Sequence, residues 1–263
     1  LAADSVSATK MDRPEWGGIN PRTGEFYMTL TNNSNRTVDG DTGVDAANPR
    51  TYSDMKGAKE SKGNVHGHII RLAQANPAYS KFTWDIYLFA AEADADKSKI
   101  NLSNLTDEND MSSPDGLVFS QATGLCWIQT DDGAYTDKSN CMLLAAIPGQ
   151  VGDGAKKQLS YKRADGSEKR VDTVVGKAQS PAVLKRFLVG PVDCEITGLC
   201  ESPDGRALFI NIQHPGEGTK MADVGNPAKY TSQWPANAGY GAGSRPRSAT
   251  IVITKLDGGV IGS

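Results

Sequence analysis

A strand–turn–strand pattern occurs three times in this sequence, at residues 15–32, 115–131 and 195–213. Each copy begins with a carboxylate, continues as a short strand, and turns at a glycine into a second strand that contains an aromatic residue. The residues at these places are Glu15, Gly24 and Tyr27; Asp115, Gly124 and Trp127; and Glu195, Gly205 and Phe209. A more ordinary strand pair lies between the copies, so each unit predicts a four-stranded antiparallel sheet. Repetition of such a unit is typical of a β-propeller.

We therefore predict an all-β fold in which residues 1–263 form one domain of about three four-stranded antiparallel blades. The units begin near residues 13, 113 and 193, and the 28 glycines and 13 prolines suit a protein this rich in turns. Three blades do not close a ring, and an open set would expose two long sheet edges. The pattern predicts about three further blades, from a missing amino-terminal half or from a second copy of the chain. The first residues contain no initiator methionine and no leader pattern, which suggests processing or a longer parent chain.

Between the repeats, the sequence predicts further strands at HIIRLAQ, FTWDIYLFA, CMLLAAI and SATIVITK. Residues 33–67 are predicted to form a long polar loop, and residues 90–96 a short helix. A basic excursion at 149–182 is predicted to contain a hairpin, with a helix near residues 180–187. The last strand is predicted to close the chain as a hairpin with residues 256–262.

The three repeat carboxylates predict a cation site. The first strand of each propeller blade lines the central channel, so Glu15, Asp115 and Glu195 would converge on one axis. Convergent carboxylates repel one another unless a cation lies among them, and oxygen ligands suit calcium first. The alternative is that each acid caps its own turn, as the aspartate of SPDG does in many β-turns. The occurrence of three acids in register favours the cation.

Charge, hydropathy and cysteine spacing argue against nucleic-acid-binding, membrane-spanning and zinc-finger proteins. The net charge is only −3 with 22% charged residues, which gives no electrostatic case for binding nucleic acid or an anionic membrane. The longest apolar runs are too short to span a bilayer. The four cysteines form no CxxC motif and there is no zinc-finger histidine pair, so a structural zinc site of that type is not expected. Cys126 with Cys141, and Cys194 with Cys200, are either disulfide candidates or buried thiols.

Longer motifs resemble those of a known family. They are MDRPEW, GHIIR, FTWDIYLFA, SPDGL, GLCWIQTD, RFLVGP, CEITG, LFINIQHPGE and RPRSATIVITK. In these motifs the chain resembles the carboxy-terminal portion of the PhoX-type alkaline phosphatases, over almost its whole length. The resemblance implies half of a six-bladed propeller, because family members are more than twice as long. It also implies a periplasmic or secreted protein, because the family is exported with a twin-arginine signal.

The same resemblance implies a phosphomonoesterase that releases inorganic phosphate from organic phosphate esters. It implies calcium and iron ions, bridged by an oxo group, at the top of the propeller channel. Arg13 matches the arginine that holds the phosphate oxygens, and it is therefore the implied catalytic and substrate-binding residue. Glu15 and Asp115 match metal ligands, and Glu195 falls at the carboxylate position of the third blade as a further metal ligand. The family's iron-binding cysteine and several more carboxylates belong to the half that this sequence does not contain.

Two other functions fit the pattern of acids. One is a calcium-dependent propeller hydrolase of another type, such as a lactonase, and the other is a non-catalytic scaffold stabilised by calcium. Arg13 favours phosphate over a neutral lactone, since a lactone gains little from a guanidinium. Residues that could line the site, or that could equally be structural, are Asn32, Asn33, Asp131, Asp132, Arg186 and His214. His66 and His68 could bind a transition metal or could simply begin a strand.

Overall fold

The three predicted strand–turn–strand units are all present in the structure, a computed structural model that describes residues 1–76, 78, 80–131, 133–236 and 245–263. The described residues form strands almost throughout, with one short helix α1 (Ala2–Ser5) and two 3-10 turns, Met221–Asp223 and Pro227–Lys229. The strands are β1 (Pro14–Ile19), β2 (Phe26–Leu30), β3 (Tyr52–Lys56), β4 (Lys59–Gly63), β5 (His68–Ala73), β6 (Thr83–Phe89), β7 (Pro114–Phe119), β8 (Cys126–Thr130), β9 (Met142–Ala146), β10 (Ala155–Lys162), β11 (Glu168–Val175), β12 (Leu184–Val189), β13 (Glu195–Glu201), β14 (Ala207–Gln213) and β15 (Ala249–Thr254). The all-β prediction is confirmed.

The strands are arranged in three larger sheets and one separate pair. The first sheet has the order β1-β2-β5-β6-β11-β10, the second β12-β9-β8-β7, and the third β13-β14-β15, while β3 pairs with β4 alone. Neighbouring strands are antiparallel except for β11 and β6, which meet in one parallel pair, Val175 with Ile86. The hairpin of β10 and β11 therefore joins the first sheet at a single point along its length.

The backbone repeats the same local geometry at the start of each unit. Arg13, Ser113 and Asp193 precede β1, β7 and β13 and have φ of 46°, 50° and 56°. Few non-glycine residues adopt such left-handed values, so their recurrence at equivalent positions reflects a shared entry bend. The turn glycines also have positive φ, at 73° for Gly24 and 77° for Gly124. Each opening strand then has an irregular register against its partner.

The second sheet is buried on both faces. Consecutive residues of β8 and β9 face opposite ways, so each strand contributes to a core on either side of the sheet. Ile128 and Leu144 belong to a core that also contains Tyr27 of the first sheet. Their neighbours Trp127 and Leu143 belong to a second core, shared with the third sheet. This two-sided burial explains why CWIQT and MLLAA are apolar without the alternation of a half-exposed strand.

The third sheet buries only one face within the described chain. Leu208, Ile210 and Ile212 of β14 are buried in the second core, and the intervening residues point outward. Cys200, Phe209 and Val252 are register partners on adjacent strands, so they form one row on the outward face. Phe209 is 39% exposed and Val252 is 56% exposed. The three sheets are thus stacked as layers, with an apolar row left on the last one.

Several local predictions were wrong. Only the second sheet has four strands: the first gains the β10–β11 hairpin, and the described part of the third has three. Residues 180–187 do not form a helix, because Leu184–Val189 pairs with β9 and alternates buried and exposed positions as a strand does. Residues 90–96 contain turns, and the predicted loop at 33–67 contains the β3–β4 hairpin. The last strand pairs with β14 instead of forming a closing hairpin.

The structure contains no disulfide among the four cysteines. All four cysteines are free thiols, with Cys126, Cys141 and Cys194 buried and Cys200 exposed. Among the described residues, no helix has the length and apolar character needed to cross a membrane.

Candidate functional site

Carboxylates from the second and third repeat units meet where the opening strands lie side by side. Asp115 on β7, Asp131 just after β8 and Glu195 on β13 each offer an oxygen, and these atoms lie within 4.8 Å of one another. Strand β7 contacts both β1 and β13. Glu15, the equivalent carboxylate of the first unit, is not in this close group, but its negative charge acts on Asp115. Together Glu15, Asp115, Asp131 and Glu195 form what we call the axial cluster.

Hydrogen bonds between strands fix the position of this cluster. The Thr29 hydroxyl on β2 donates to the backbone carbonyl of Asp115 at 2.6 Å and accepts from the backbone N–H of Trp16 at 2.9 Å. The Thr31 hydroxyl donates to the carbonyl of Pro114 at 3.0 Å. These bonds attach the start of β7 to the first sheet, so the two sheets hold their carboxylates in a fixed relation. The sequence pattern marks Thr31 only as a polar end of the first repeat and does not predict either bond, because the partners are backbone atoms of a distant segment.

The axial cluster is electrostatically unbalanced. Partial burial, followed by the negative charges of Glu15, Glu195 and Asp131, raises the pKa of Asp115 to about 7, against which Arg13 acts only weakly. Burial and the charge of Asp131 also raise the pKa of Glu195. Such shifts mean that the ionised carboxylates are destabilised first by burial and then by one another. A cation among them would remove that destabilisation.

Arg13 lies at the edge of the cluster, held from two sides. Its Nη2 donates to Glu15 Oε1 at 3.2 Å and its Nη1 donates to Asn32 Oδ1 at 3.0 Å. The Asn32 amide in turn donates to Ser113 Oγ at 3.2 Å, on the entry bend of the second unit. The arginine side chain remains 53% exposed. Its orientation is therefore set by the protein, while much of the guanidinium faces solvent.

His214 approaches the cluster from the end of β14. Its Nε2 lies 3.6 Å from Glu195 Oε2, and its Nδ1 lies 3.4 Å from a carboxylate oxygen of Glu217. This imidazole moderates the negative charge at Glu195, since it acts to lower the pKa of that carboxyl. The sequence had already identified His214, Asp131 and Asn32 as residues that could line the site, and the structure places all three beside it.

Other sequence candidates have protein partners outside the axial cluster. Asn33 donates to Asp12, and His68 is buried between Asn64 and the Ala47 carbonyl. Arg186 of β12 contacts Asp110 and the Tyr135 hydroxyl, which lie in segments between strands. His66 contacts Asp54, in a different part of the chain. Asp132 lies outside the described residues.

The donor set of the axial cluster is composed of carboxylate oxygens, which suits calcium. Asp115, Asp131 and Glu195 could be ligands together, with Glu15 next to them. Neither group of possible metal ligands found in the described part of the chain includes a cysteine. The cluster thus fits a hard cation through oxygen ligands alone.

Comparisons with known proteins agree on one family. Residues 1–216 match the family described as alkaline phosphatase PhoX. Among solved structures, the chain is similar to Pseudomonas fluorescens PhoX in complex with vanadate, a transition state analogue, with 32% sequence identity and a TM-score of 0.69. That match covers 99% of this chain and 37% of the other, so the chain spans little more than a third of the length of that protein. A comparison with curated proteins finds no match.

Proposed function

The chain belongs to the PhoX family of alkaline phosphatases, and from this premise we propose that it supplies one part of a metal-dependent phosphomonoesterase centre. The observation that supports this function is the placement of Arg13 against the axial cluster. A cation-binding set of carboxylates and a half-exposed guanidinium lie side by side at the edge where the sheets meet. Hydrolysis of a phosphate monoester needs positive charge on the phosphoryl oxygens, and this arrangement would provide it from two sources.

Arg13 would bind the phosphoryl group of the substrate. A planar guanidinium can donate two parallel hydrogen bonds to two phosphate oxygens, which fixes both position and orientation. Asn32 and Glu15 already hold the arginine side chain from two sides, so little conformational freedom is left to lose when substrate binds. The exposed part of the guanidinium is the part available to substrate.

Glu15, Asp115 and Glu195, together with Asp131, would hold calcium. Bound calcium would supply Lewis acidity to the phosphoryl oxygens. Iron is also proposed, from the family resemblance, but no cysteine lies in the cluster of the described chain. We propose that the remaining iron ligands belong to the part of a family-length protein that this sequence does not include.

The stack of three sheets would form consecutive blades of a six-bladed propeller. The apolar row of Cys200, Phe209 and Val252 supports this arrangement, because a blade normally has a neighbour on both faces. We propose that the neighbour is a further part of a family-length protein, with a second copy of this chain as the alternative. The resemblance also leads us to propose export to the periplasm or the medium.

The proposed function is tested in a family-length protein that contains this chain as its carboxy-terminal part. Arg13→Ala should raise KM and lower kcat/KM for an aryl phosphate by on the order of a hundredfold, as loss of one transition-state donor does. The kcat/KM of Arg13→Lys should fall between those of Arg13→Ala and the unaltered protein, because lysine keeps the charge but loses the paired hydrogen bonds. The chain alone, without the proposed further blades, should show no such activity.

Arg170→Ala is the matched control. Arg170 also contacts a glutamate two positions away, Glu168 at 2.9 Å, and is also largely exposed, at 63%. Its removal should leave the kinetics unchanged. Equal kinetics for Arg13→Ala and Arg170→Ala would overturn the role of Arg13. Calcium binding in a protein without phosphatase activity would favour a scaffold or a hydrolase of another type.

A further inference from the structure

A second group of possible metal ligands lies outside the axial cluster, where four segments of the chain meet. Asp54 is on β3, His66 precedes β5 and Glu92 follows β6, and one donor atom of each lies within 4.8 Å of the others. Ser112, just before β7, contacts the same histidine. Neither the family resemblance nor the proposed phosphatase centre assigns a role to this group.

The histidine is held in the orientation that a metal ligand requires. His66 Nδ1 lies 2.8 Å from Ser112 Oγ, and the backbone N–H of His66 donates to the Tyr52 hydroxyl at 2.9 Å. In the tautomer whose Nδ1–H donates to the serine, the lone pair of Nε2 faces the carboxylates. Metal-binding histidines characteristically have such a partner on the other ring nitrogen, which fixes the tautomer.

The distance between His66 Nε2 and the Asp54 carboxylate suits a small cation. His66 Nε2 lies 3.4 Å from Asp54 Oδ2. Two ligands at about 2.1 Å from a tetrahedral zinc ion are separated by roughly 3.4 Å. The imidazole and the carboxylate therefore already stand at the separation that such an ion would impose.

Glu92 provides an independent observation that points to a ligand at this group. The residue is only 9% exposed, and its Oε1 is buried without a hydrogen-bond partner. Its Oε2 lies 3.4 Å from Lys138 Nζ, whose side chain is 44% exposed. Leaving one carboxylate oxygen buried and unpaired is costly, and a metal ion would satisfy it. The negative charge of Asp54 acts on the same carboxyl and, after burial, helps to raise the pKa of Glu92.

We propose that Asp54, His66 and Glu92 form a separate metal site that takes one divalent first-row transition ion, such as Zn²⁺, through one imidazole nitrogen and two carboxylate oxygens. This donor set differs from the all-oxygen axial cluster, because an imidazole selects transition metals over calcium. The bound ion would join the β3–β4 hairpin to the first sheet and to the start of β7. Lys138 would leave Glu92 on binding, and its position toward solvent, near Asp94 at 3.8 Å, gives it another partner.

The test titrates Zn²⁺ against the purified chain with excess calcium present, so that the oxygen-only cluster does not compete. Asp54→Asn should weaken Zn²⁺ binding at least about tenfold, while Asp94→Asn should not. Asp94 is the matched control, since it contacts the same lysine but is 77% exposed and lies outside the ligand group. Equal affinity in the two variants would overturn the site.

Two further measurements keep the proposal testable if Asp54→Asn does not fold. Lys138→Gln removes a competing cation from the more exposed side of the group, so it should strengthen Zn²⁺ binding; weaker or unchanged binding contradicts the proposal. The chain has only three histidines, so their ring nitrogens can be followed individually by NMR. Zn²⁺ should shift the ring resonances of His66 and leave those of His68 in place. A His66 ring that does not respond would also overturn the site.

Discussion

The sequence Ser-Pro-Asp-Gly occurs twice in this chain, and the two copies have opposite environments. Asp204 is exposed at the turn between β13 and β14, where it accepts from the Ser202 hydroxyl at 2.7 Å and from the Arg206 backbone N–H at 3.2 Å. These hydrogen bonds lower its pKa. Asp115 is the second residue of β7 and lies among three other carboxylates, and burial and those charges raise its pKa to about 7.

The difference arises from the place of each copy in the repeat unit. Asp204 belongs to the hairpin turn, where a short acid side chain satisfies its own backbone. Asp115 comes two residues after the left-handed entry bend at Ser113, which directs it toward the equivalent acids of the neighbouring sheets. The same four residues therefore give a turn cap in one place and a member of the axial cluster in the other. A short motif is informative about chemistry only when its position in the fold is known.

Asp85 marks the other limit of this comparison, because it is fully buried and paired with an arginine. Arg71 donates to both of its oxygens, at 2.6 and 3.0 Å, and also contacts Asp153 at 2.6 Å. Burial of a carboxylate is therefore tolerated here because a counter-charge is built into the fold. At Asp115 that counter-charge is largely absent from the protein and is expected from a bound cation.

The largest effect is expected when the buried ion pair of Arg71 and Asp85 is broken. Arg71→Met should leave Asp85 and Asp153 without their counter-charge and lower the free energy of unfolding by about 3–5 kcal/mol. Denaturant unfolding would measure the loss. Arg170→Met, at an exposed ion pair, should cost no more than about 1 kcal/mol. Similar losses for the two variants would mean that burial does not distinguish these carboxylates.

Calcium should produce the next largest effect, through the axial cluster. At a free calcium concentration a hundred times the dissociation constant, the chain should gain about 2.7 kcal/mol of stability. Asp115→Asn should remove most of that gain, because it removes a ligand from the cluster, whereas Asp204→Asn should keep it. Thermal unfolding with calcium and with a chelator would measure both variants. Calcium stabilisation that survives Asp115→Asn would place the cation elsewhere.

The smallest effect is expected at the turn. Asp204→Ala should remove the cap of the β13–β14 hairpin and lower the midpoint of unfolding only slightly, because the two hydrogen bonds that are lost lie at an exposed turn. The cost should be the same with and without calcium, since Asp204 belongs to its own turn. A calcium-dependent cost measured by the same unfolding experiment would contradict the separation of the two aspartates.

The repeated elements were the predictable part of this molecule. Hairpins with a glycine turn and an aromatic second strand have local signals, and the structure contains all three, with the turn glycines at positive φ. Two of the three equivalent acids, Asp115 and Glu195, lie in one close group, whereas Glu15 is not in it. Three copies of the same weak local signal support one another, which is why the hairpins could be predicted from the sequence.

Elements determined by distant contacts were not predictable. The strands β3 and β4 are polar on both faces, so YSDMK and KESKG have no alternation that would distinguish them from a loop. β12 has residues that also suit a helix, and only pairing with β9 decides its conformation. Asp54, His66 and Glu92 come from three separate segments, and their convergence follows from the packing of the sheets alone.

Because a single parallel pair joins β11 to β6, the β10–β11 hairpin is a place where homologous sequences could differ in length. The hairpin of β10 and β11 makes almost all of its ladder hydrogen bonds with itself. Residues could be added or removed at its tip, around Asp165 and Gly166, without shifting the register of any strand in the three stacked sheets. We therefore expect length differences between homologous sequences to collect at this tip, and the entry bends before β1, β7 and β13 to tolerate none.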